Sequence, residues 1–223
     1  YRDQLPPEVF DEPYVPPVSD GSGSDRRLLR TAAKLLEEAG WELKGNQRVN
    51  KNGEVLSIEF LVYEPTFERV IAPYIKNLKS LGIDAYIRRV DPAQFERRVK
   101  AFDFDIITQR FSMRLTPGAE LLNFFGSEAA ATEGSFNRAG IKNPVVDALA
   151  QKALEAQSRE ELVTAIRALD RVLRAGHYWI PQWYKASHHI AYWNKFGRPE
   201  TKPKYDRGIV DTWWYDAEKA SKL

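Results

Sequence analysis

KLLEEAGW (residues 34–41), KNGEVLSIEFLVYEP (51–65), YIKNLKSLGIDAYIRRVDPAQFERRV (74–99) and FDFDIITQR (102–110) follow one another with almost no slack. The first closes a helix: Leu28, Leu29, Ala32, Leu35, Leu36 and Ala39 keep helical spacing, Ser24 or Asp25 caps it, and Gly40 stops it. Lys51-Asn52-Gly53 is a turn signal between residues 47–50 and 55–63, because Asn-Gly tolerates the positive φ of a tight hairpin. Within the second of these runs Ile58, Phe60 and Val62 alternate with Ser57, Glu59 and Leu61. Pro65-Thr66 opens a helix, with Thr66 as its cap, that ends at Gly82. Pro73 inside that span removes an amide hydrogen bond and predicts a kink or a later helix start. Residues 83–90 form a strand with Ile83, Ala85 and Ile87 on one face, Asp91-Pro92 starts a helix over 93–101, and 104–111 reads as an apolar strand. Two consecutive passages from strand through helix to strand imply parallel pairs with right-handed crossovers. The order predicts an α/β lobe, half of a doubly wound sheet, whose strand ends face a crevice, the place where open sheets hold ligands.

On the amino-terminal side, residues 1–23 hold Pro6, Pro7, Pro13, Pro16 and Pro17 and a Gly21-Ser22-Gly23 run, with Tyr1, Phe10 and Tyr14 among them. Such a stretch reads as an extended segment laid over a surface. On the other side, a loop-rich stretch from Leu115 to Ile141 contains one short helix near 120–125. Two longer helices follow. Residues 143–157 turn Val146, Leu149, Ala150 and Ala153 inward; residues 159–175, capped by Ser158, carry Leu162, Ile166, Leu169 and Leu173. Strands are expected at 178–184 and 190–193, before a tail with Pro199, Pro203 and Gly208 that ends in Trp213-Trp214-Tyr215. No internal repeat is visible.

With 43% hydrophobic and 29% charged residues, the 223-residue chain has the profile of a folded globular protein rather than a disordered one. No stretch approaches the ~20 apolar residues of a membrane span. A formal charge of +2, from 33 basic and 31 acidic residues, gives no global field for nucleic acid. Absent cysteine excludes disulfides, thiolate catalysis and cysteine-based metal sites. The chain opens on Tyr1, without a charged and then apolar leader, and is read as a fragment whose signal peptide lies outside it.

Catalysis finds little support in the spacing of residues. His177, His188 and His189 are the only histidines, and an adjacent pair on a strand points to opposite faces. No H-E-x-x-H pair, nucleophile elbow, Walker loop or dinucleotide fingerprint occurs. Asp103 and Asp105 could serve a hydrolase if both faced one pocket; a capping role for Asp103 and a strand-edge role for Asp105 is the plainer reading. The Arg26-Arg27-Arg30 and Arg97-Arg98-Lys100 clusters lie on polar helix faces among acids, as solvated surface does. A binding chemistry remains. Gln109-Arg110-Phe111-Ser112-Met113-Arg114 places two guanidiniums and a ring at a strand end, and arginine grips carboxylates bidentately. A salt bridge within the lobe is the alternative for either arginine. Trp183 and Tyr184 follow Pro181 at a strand end, while Trp213 and Trp214 read as packing residues.

AAKLLEEAGW, NLKSLGIDAYIRRVDPAQFERRV, FDFDIITQRF and NRAGIKNPVVDALAQKALEAQSREELVTAIRALDRVLRAGHYWIPQWY, in this order, resemble the carboxyl-terminal part of the periplasmic oligopeptide- and dipeptide-binding proteins of ABC importers, the extracellular solute-binding proteins of family 5. TPGAEL, LDRVLRAGHYWIPQWY and DTWWYD are similar to the branch that binds microcin C and other oligopeptides. The resemblance implies a type II periplasmic-binding-protein fold: one α/β lobe over residues 20–186, plus segments 1–19 and 187–223 that cross to the second lobe. It implies a periplasmic protein that makes and breaks no bond and uses no cofactor or metal. Such a protein captures peptide between two lobes and delivers it to a membrane permease; the amino-terminal lobe of the same protein is absent from this chain. On that model Arg110, Ser112, Arg114 and Asn137 grip the peptide and Phe111 flanks it, with neither nucleic acid nor a membrane span involved. Family members carry an aspartate for the peptide amino terminus in a D-P-D-like motif; the matching stretch here is Thr116-Pro117-Gly118, so that mode of amine recognition does not carry over. Two other readings are a hydrolase domain using Asp103, Asp105 or a histidine, and a solute-binding sensor module unconnected with transport.

Overall fold

A computed structural model describes every residue except Leu115 and Tyr205. In chain order its elements are α1 (Arg26–Glu38), β1 (Glu42–Lys44), β2 (Gln47–Val49), β3 (Ser57–Val62), α2 (Pro65–Ser80), β4 (Asp84–Arg89), α3 (Pro92–Lys100), α4 (Glu120–Phe125), α5 (Pro144–Glu155), α6 (Arg159–Ala175), β5 (Phe196–Gly197), α7 (Ile209–Thr212), β6 (Trp214–Tyr215) and α8 (Ala217–Ala220). The expected loop-rich stretch thus begins on a residue, Leu115, that lies outside the described set.

The sheet is built around β3. It pairs in parallel with β4, from Ser57 opposite Asp84 to Val62 opposite Arg89, and on its other side meets Ile106 in a single parallel bridge. Both faces are covered, which is why SIEFLV is nearly continuous in apolar character rather than alternating to solvent. Phe60 and Val62 pack with Ile83 and Ala85 under Ile71, Ile75 and Leu78 of α2, while Leu61 points the other way onto Phe95 and Val99 of α3. Glu59 shares the α3 face and is held by Arg88 at 3.1 Å and Arg98 at 2.8 Å.

Local signals place most helix ends. Asp25 accepts the amides of Arg27 and Leu28, and these backbone donors, Leu28 foremost, hold its carboxyl below the usual range. Asp91 caps α3 through the Gln94 amide, Asn143 caps α5 and Ser158 caps α6. At α2 the cap is Glu64 and Thr66 lies inside the helix, because Pro65 takes the first helical position and so moves the start two residues earlier than expected. Pro73 neither breaks nor delays α2, which runs unbroken from Pro65 to Ser80; Pro73 is exposed, so the carbonyl it leaves unbonded can meet water. Gly82 follows at φ +87°, and a Cβ there would stand 2.7 Å from Leu43.

Sequence patterns missed the short strands. The Asn52-Gly53 turn forms, with the Gly53 amide donating to Asn50, yet β2 pairs mainly with β1, unseen in the sequence, and only Val49 meets Val55. The expected strand over 104–111 is reduced to the Ile106 bridge. Asp105 supplies the reason: its carboxylate accepts the Glu59 amide at 2.8 Å, taking the ladder position that a neighbouring strand's carbonyl would fill. The strands expected at 178–184 and 190–193 do not form. Residues 181–194 are exposed and pair with no described strand; β5 and β6 pair with each other instead.

A second core lies in the helical half. Val146, Ala150 and Ala153 of α5 meet Leu162, Leu169 and Leu173 of α6, joined by Leu121 and Phe125 of α4 and by Ile141. The amino-terminal segment straps this half through two short 3-10 turns, Arg2–Gln4 and Pro7–Val9, rather than as one extended run. Val9 enters the core, and Arg171 donates to the carbonyls of Val9 and Asp11. The accessible surface is 16149 Å² for 25.6 kDa, against about 10,400 Å² for a compact monomer of that mass.

Candidate functional site

Residues 107–114 connect the two halves beyond the Ile106 bridge, and no backbone hydrogen bond joins them to another described residue. Their amides and carbonyls form an unpaired ledge. One side chain fixes its start: Gln109 Nε2 donates to the Phe136 carbonyl at 3.2 Å. Phe111 and Met113 pack towards the helical core, whereas Arg110, Ser112 and Arg114 are exposed. This alternation marks extended chain.

Beside the ledge stands an aromatic wall. The Phe111 ring lies 5.4 Å from Phe124 and 5.4 Å, edge-on, from Trp179, and Phe124 continues to Phe136 at 5.6 Å. Offset and edge-on rings at such distances attract one another beyond the area they bury. Trp179 reaches the wall because α6 ends in a reversal: His177 adopts φ 50°, and Gly176 is required because a Cβ there would run into the Tyr178 ring. Phe111, expected to flank a ligand, is 39% exposed and so offers one side to the wall and the other to solvent. Arg138 lies over Phe136 at 5.3 Å.

Of the residues the sequence marked as a peptide grip, the structure gathers Arg110, Phe111, Ser112 and Arg114 on the ledge. Asn137 does not join them. It is fully buried, donating to the Gly126 carbonyl at 2.8 Å and the Ile141 carbonyl at 2.9 Å while accepting the Ile141 amide at 3.0 Å. An asparagine with both amide hydrogens spent on loop carbonyls is scaffold, out of a ligand's reach.

The acids weighed for hydrolysis are committed elsewhere. Asp103 takes Arg98 Nε at 2.8 Å, Asp105 takes the Glu59 amide, and Arg98 is held above its ordinary range first by Asp103 and then by Glu59. His177 packs edge-on against Tyr14, and His188 and His189 are exposed on 181–194. Among the described residues no three His, Asp or Glu side chains gather as metal ligands. Arg48 escaped sequence reasoning altogether: 2% exposed, it donates to the Leu81 and Trp41 carbonyls and pairs with Glu37, tying α1, β1 and the end of α2 together. No local signal separates it from the surface arginines around it.

A parallel sheet covered on both faces, with an unpaired ledge and an aromatic wall beyond its strands, is the architecture of a lobe of the type II periplasmic-binding-protein fold. Residues 5–133 match the model of the bacterial extracellular solute-binding proteins, family 5 Middle, and the chain belongs to that family. It is 49% identical over 214 residues to a probable peptide-binding protein, YejA, of Agrobacterium fabrum, covering 96% of this chain and 35% of that protein. Among solved structures, the mannohexaose-bound periplasmic oligopeptide-binding protein of Thermotoga maritima superposes with a TM-score of 0.65 at 20% identity, over 83% of this chain and 34% of the other. The oligopeptide-binding protein AppA of Bacillus subtilis, in complex with a nonapeptide, gives 0.61 at 18%, over 83% and 37%. The chain spans about a third of the length of the curated relative it matches.

Proposed function

We propose that this chain is part of a periplasmic peptide receptor that captures its ligand between two lobes and hands it to the membrane permease of an ABC importer. The observation that carries this reading is the ledge, a stretch of extended backbone without hydrogen-bond partners beside an aromatic wall. A peptide laid along it would complete a strand ladder with main-chain bonds that do not depend on sequence, while its side chains meet the rings. Closure of a second lobe would exclude water and strengthen those bonds. Residues 20–186 form the lobe; residues 1–19 arrive from the other with Val9 seated in this lobe's helical core, and residues 187–223 return to it. The exposed, unpaired run 181–194 and the large accessible surface support that division.

The relative's name, peptide-binding, points the same way. Isothermal titration of the complete protein with a set of three- to nine-residue peptides is the test. Saturable heat with peptides is expected. Heat with an oligosaccharide or a metal chelate, and with no peptide, would overturn the reading.

A further inference from the structure

The charges around the ledge are not balanced. Arg110 and Arg114 are exposed and form no ion pair with a described residue. Other arginines near the fold's joints are used: Arg48 on Glu37, Arg88 and Arg98 on Glu59, Arg171 on the carbonyls of the strap. A third cation, Arg138, has its Nε buried with no acceptor. Leaving such a donor without a partner is unfavourable, and a carboxylate oxygen satisfies it. Glu120, at the start of α4, likewise has a buried oxygen, Oε1, without a partner, and its Oε2 lies 3.1 Å from where a Cβ on Gly118 would stand. It faces the loop at its own helix start.

Spacing adds the second argument. Because the ledge alternates, Arg110, Ser112 and Arg114 share one side, and in extended chain the two arginines stand about 13 Å apart with the hydroxyl between them. A peptide running alongside in strand register repeats its own side chains at the same interval. We infer that the ledge selects acidic peptides, with carboxylates four residues apart facing Arg110 and Arg114. This rests on the ledge being the peptide site.

The test uses the complete protein and three peptides, Glu-Ala-Ala-Ala-Glu, Gln-Ala-Ala-Ala-Gln and Lys-Ala-Ala-Ala-Lys, followed by titration calorimetry. The Glu peptide should bind at least about tenfold more tightly than its Gln isostere and more tightly still than the Lys peptide. That advantage should shrink as salt rises from about 50 mM to about 500 mM. Arg110→Gln and Arg114→Gln should each lower the Glu-to-Gln ratio, and Arg110→Glu should move the preference towards Lys. Melting curves check that the variants fold, as side chains exposed at the surface should allow. Equal binding of Glu and Gln peptides, or a preference for Lys, overturns the inference while leaving the ledge a peptide site. Failure of every peptide, with an oligosaccharide titrating instead, overturns both.

Discussion

Asn137 separates two roles that a sequence cannot distinguish. As a polar residue in a loop beside Phe136 and Arg138 it reads as a ligand group; in the structure its side chain closes the turn from Gly126 to Ile141 with three hydrogen bonds and no exposure. Burial is decided by what packs over a loop, and nothing within a few residues of position 137 encodes that. Asn137→Ala would strand the carbonyl and amide of Ile141 in a dry site and leave the Gly126 carbonyl only its long bond from the Ala130 amide, which should destabilise the complete protein by about 2–4 kcal/mol. A urea titration measures this through the midpoint. Peptide affinity of the molecules still folded should be unchanged, whereas a residue touching the ligand would lower affinity without moving the midpoint. Arg48 presents the same problem from the other side, since a buried arginine and a surface one look alike until the carbonyls it serves, of Trp41 and Leu81, are brought together by the fold.

Elements divide by the range of the forces that make them. Helices were legible because their signals lie within four residues: Asp91-Pro92 starts α3, Ser158 caps α6 and the spacing of Val146, Ala150 and Ala153 names the buried face of α5. Strands need a partner from elsewhere, so an apolar run such as 104–111 promises a strand that only Ile106 delivers, and 178–184 one that does not form. The short β1 and β5 pair without announcing it. Pro73 shows a local rule overridden. Eight residues of α2, from Pro65, precede the proline, and Ile71, Ile75 and Leu78 hold the helix against β3 and β4 on both sides of it. Tertiary burial thus outweighs the missing hydrogen bond. Pro73→Ala restores the amide on an exposed position, and although it loosens the unfolded chain it should leave the protein about 1–2 kcal/mol more stable. A lower melting temperature in the variant would mean that the proline is fixing a bend that the packing of α2 requires.

At the scale of the whole molecule the decisive quantity is surface. An accessible area of 16149 Å² exceeds the roughly 10,400 Å² of a closed monomer of equal mass by more than half, and the excess is apolar in part. Ile180, Trp183, Tyr184 and Trp193 are 51%, 66%, 88% and 72% exposed along a run that joins no described strand and packs one ring, Tyr192, against Trp213. Apolar patches of this extent mark surfaces that something else covers. The α/β class was readable because the order of elements from α1 to α3 is local; the extent of the uncovered surface was not, because burial depends on what packs over a segment, which no run of residues within it encodes. If a second lobe covers 181–194 and faces the ledge, this chain produced alone should bind the apolar dye ANS several times more strongly than the complete protein. Its tryptophan emission should lie to the red, since Trp183, Trp193 and Trp214 stand in water. Its affinity for any peptide that the complete protein binds should fall by at least about a hundredfold, because half the contacts and the exclusion of water are lost together. Matching dye binding and matching affinity in the two proteins would show instead that these residues form a self-sufficient binding unit, and that the exposed aromatic run serves a different surface.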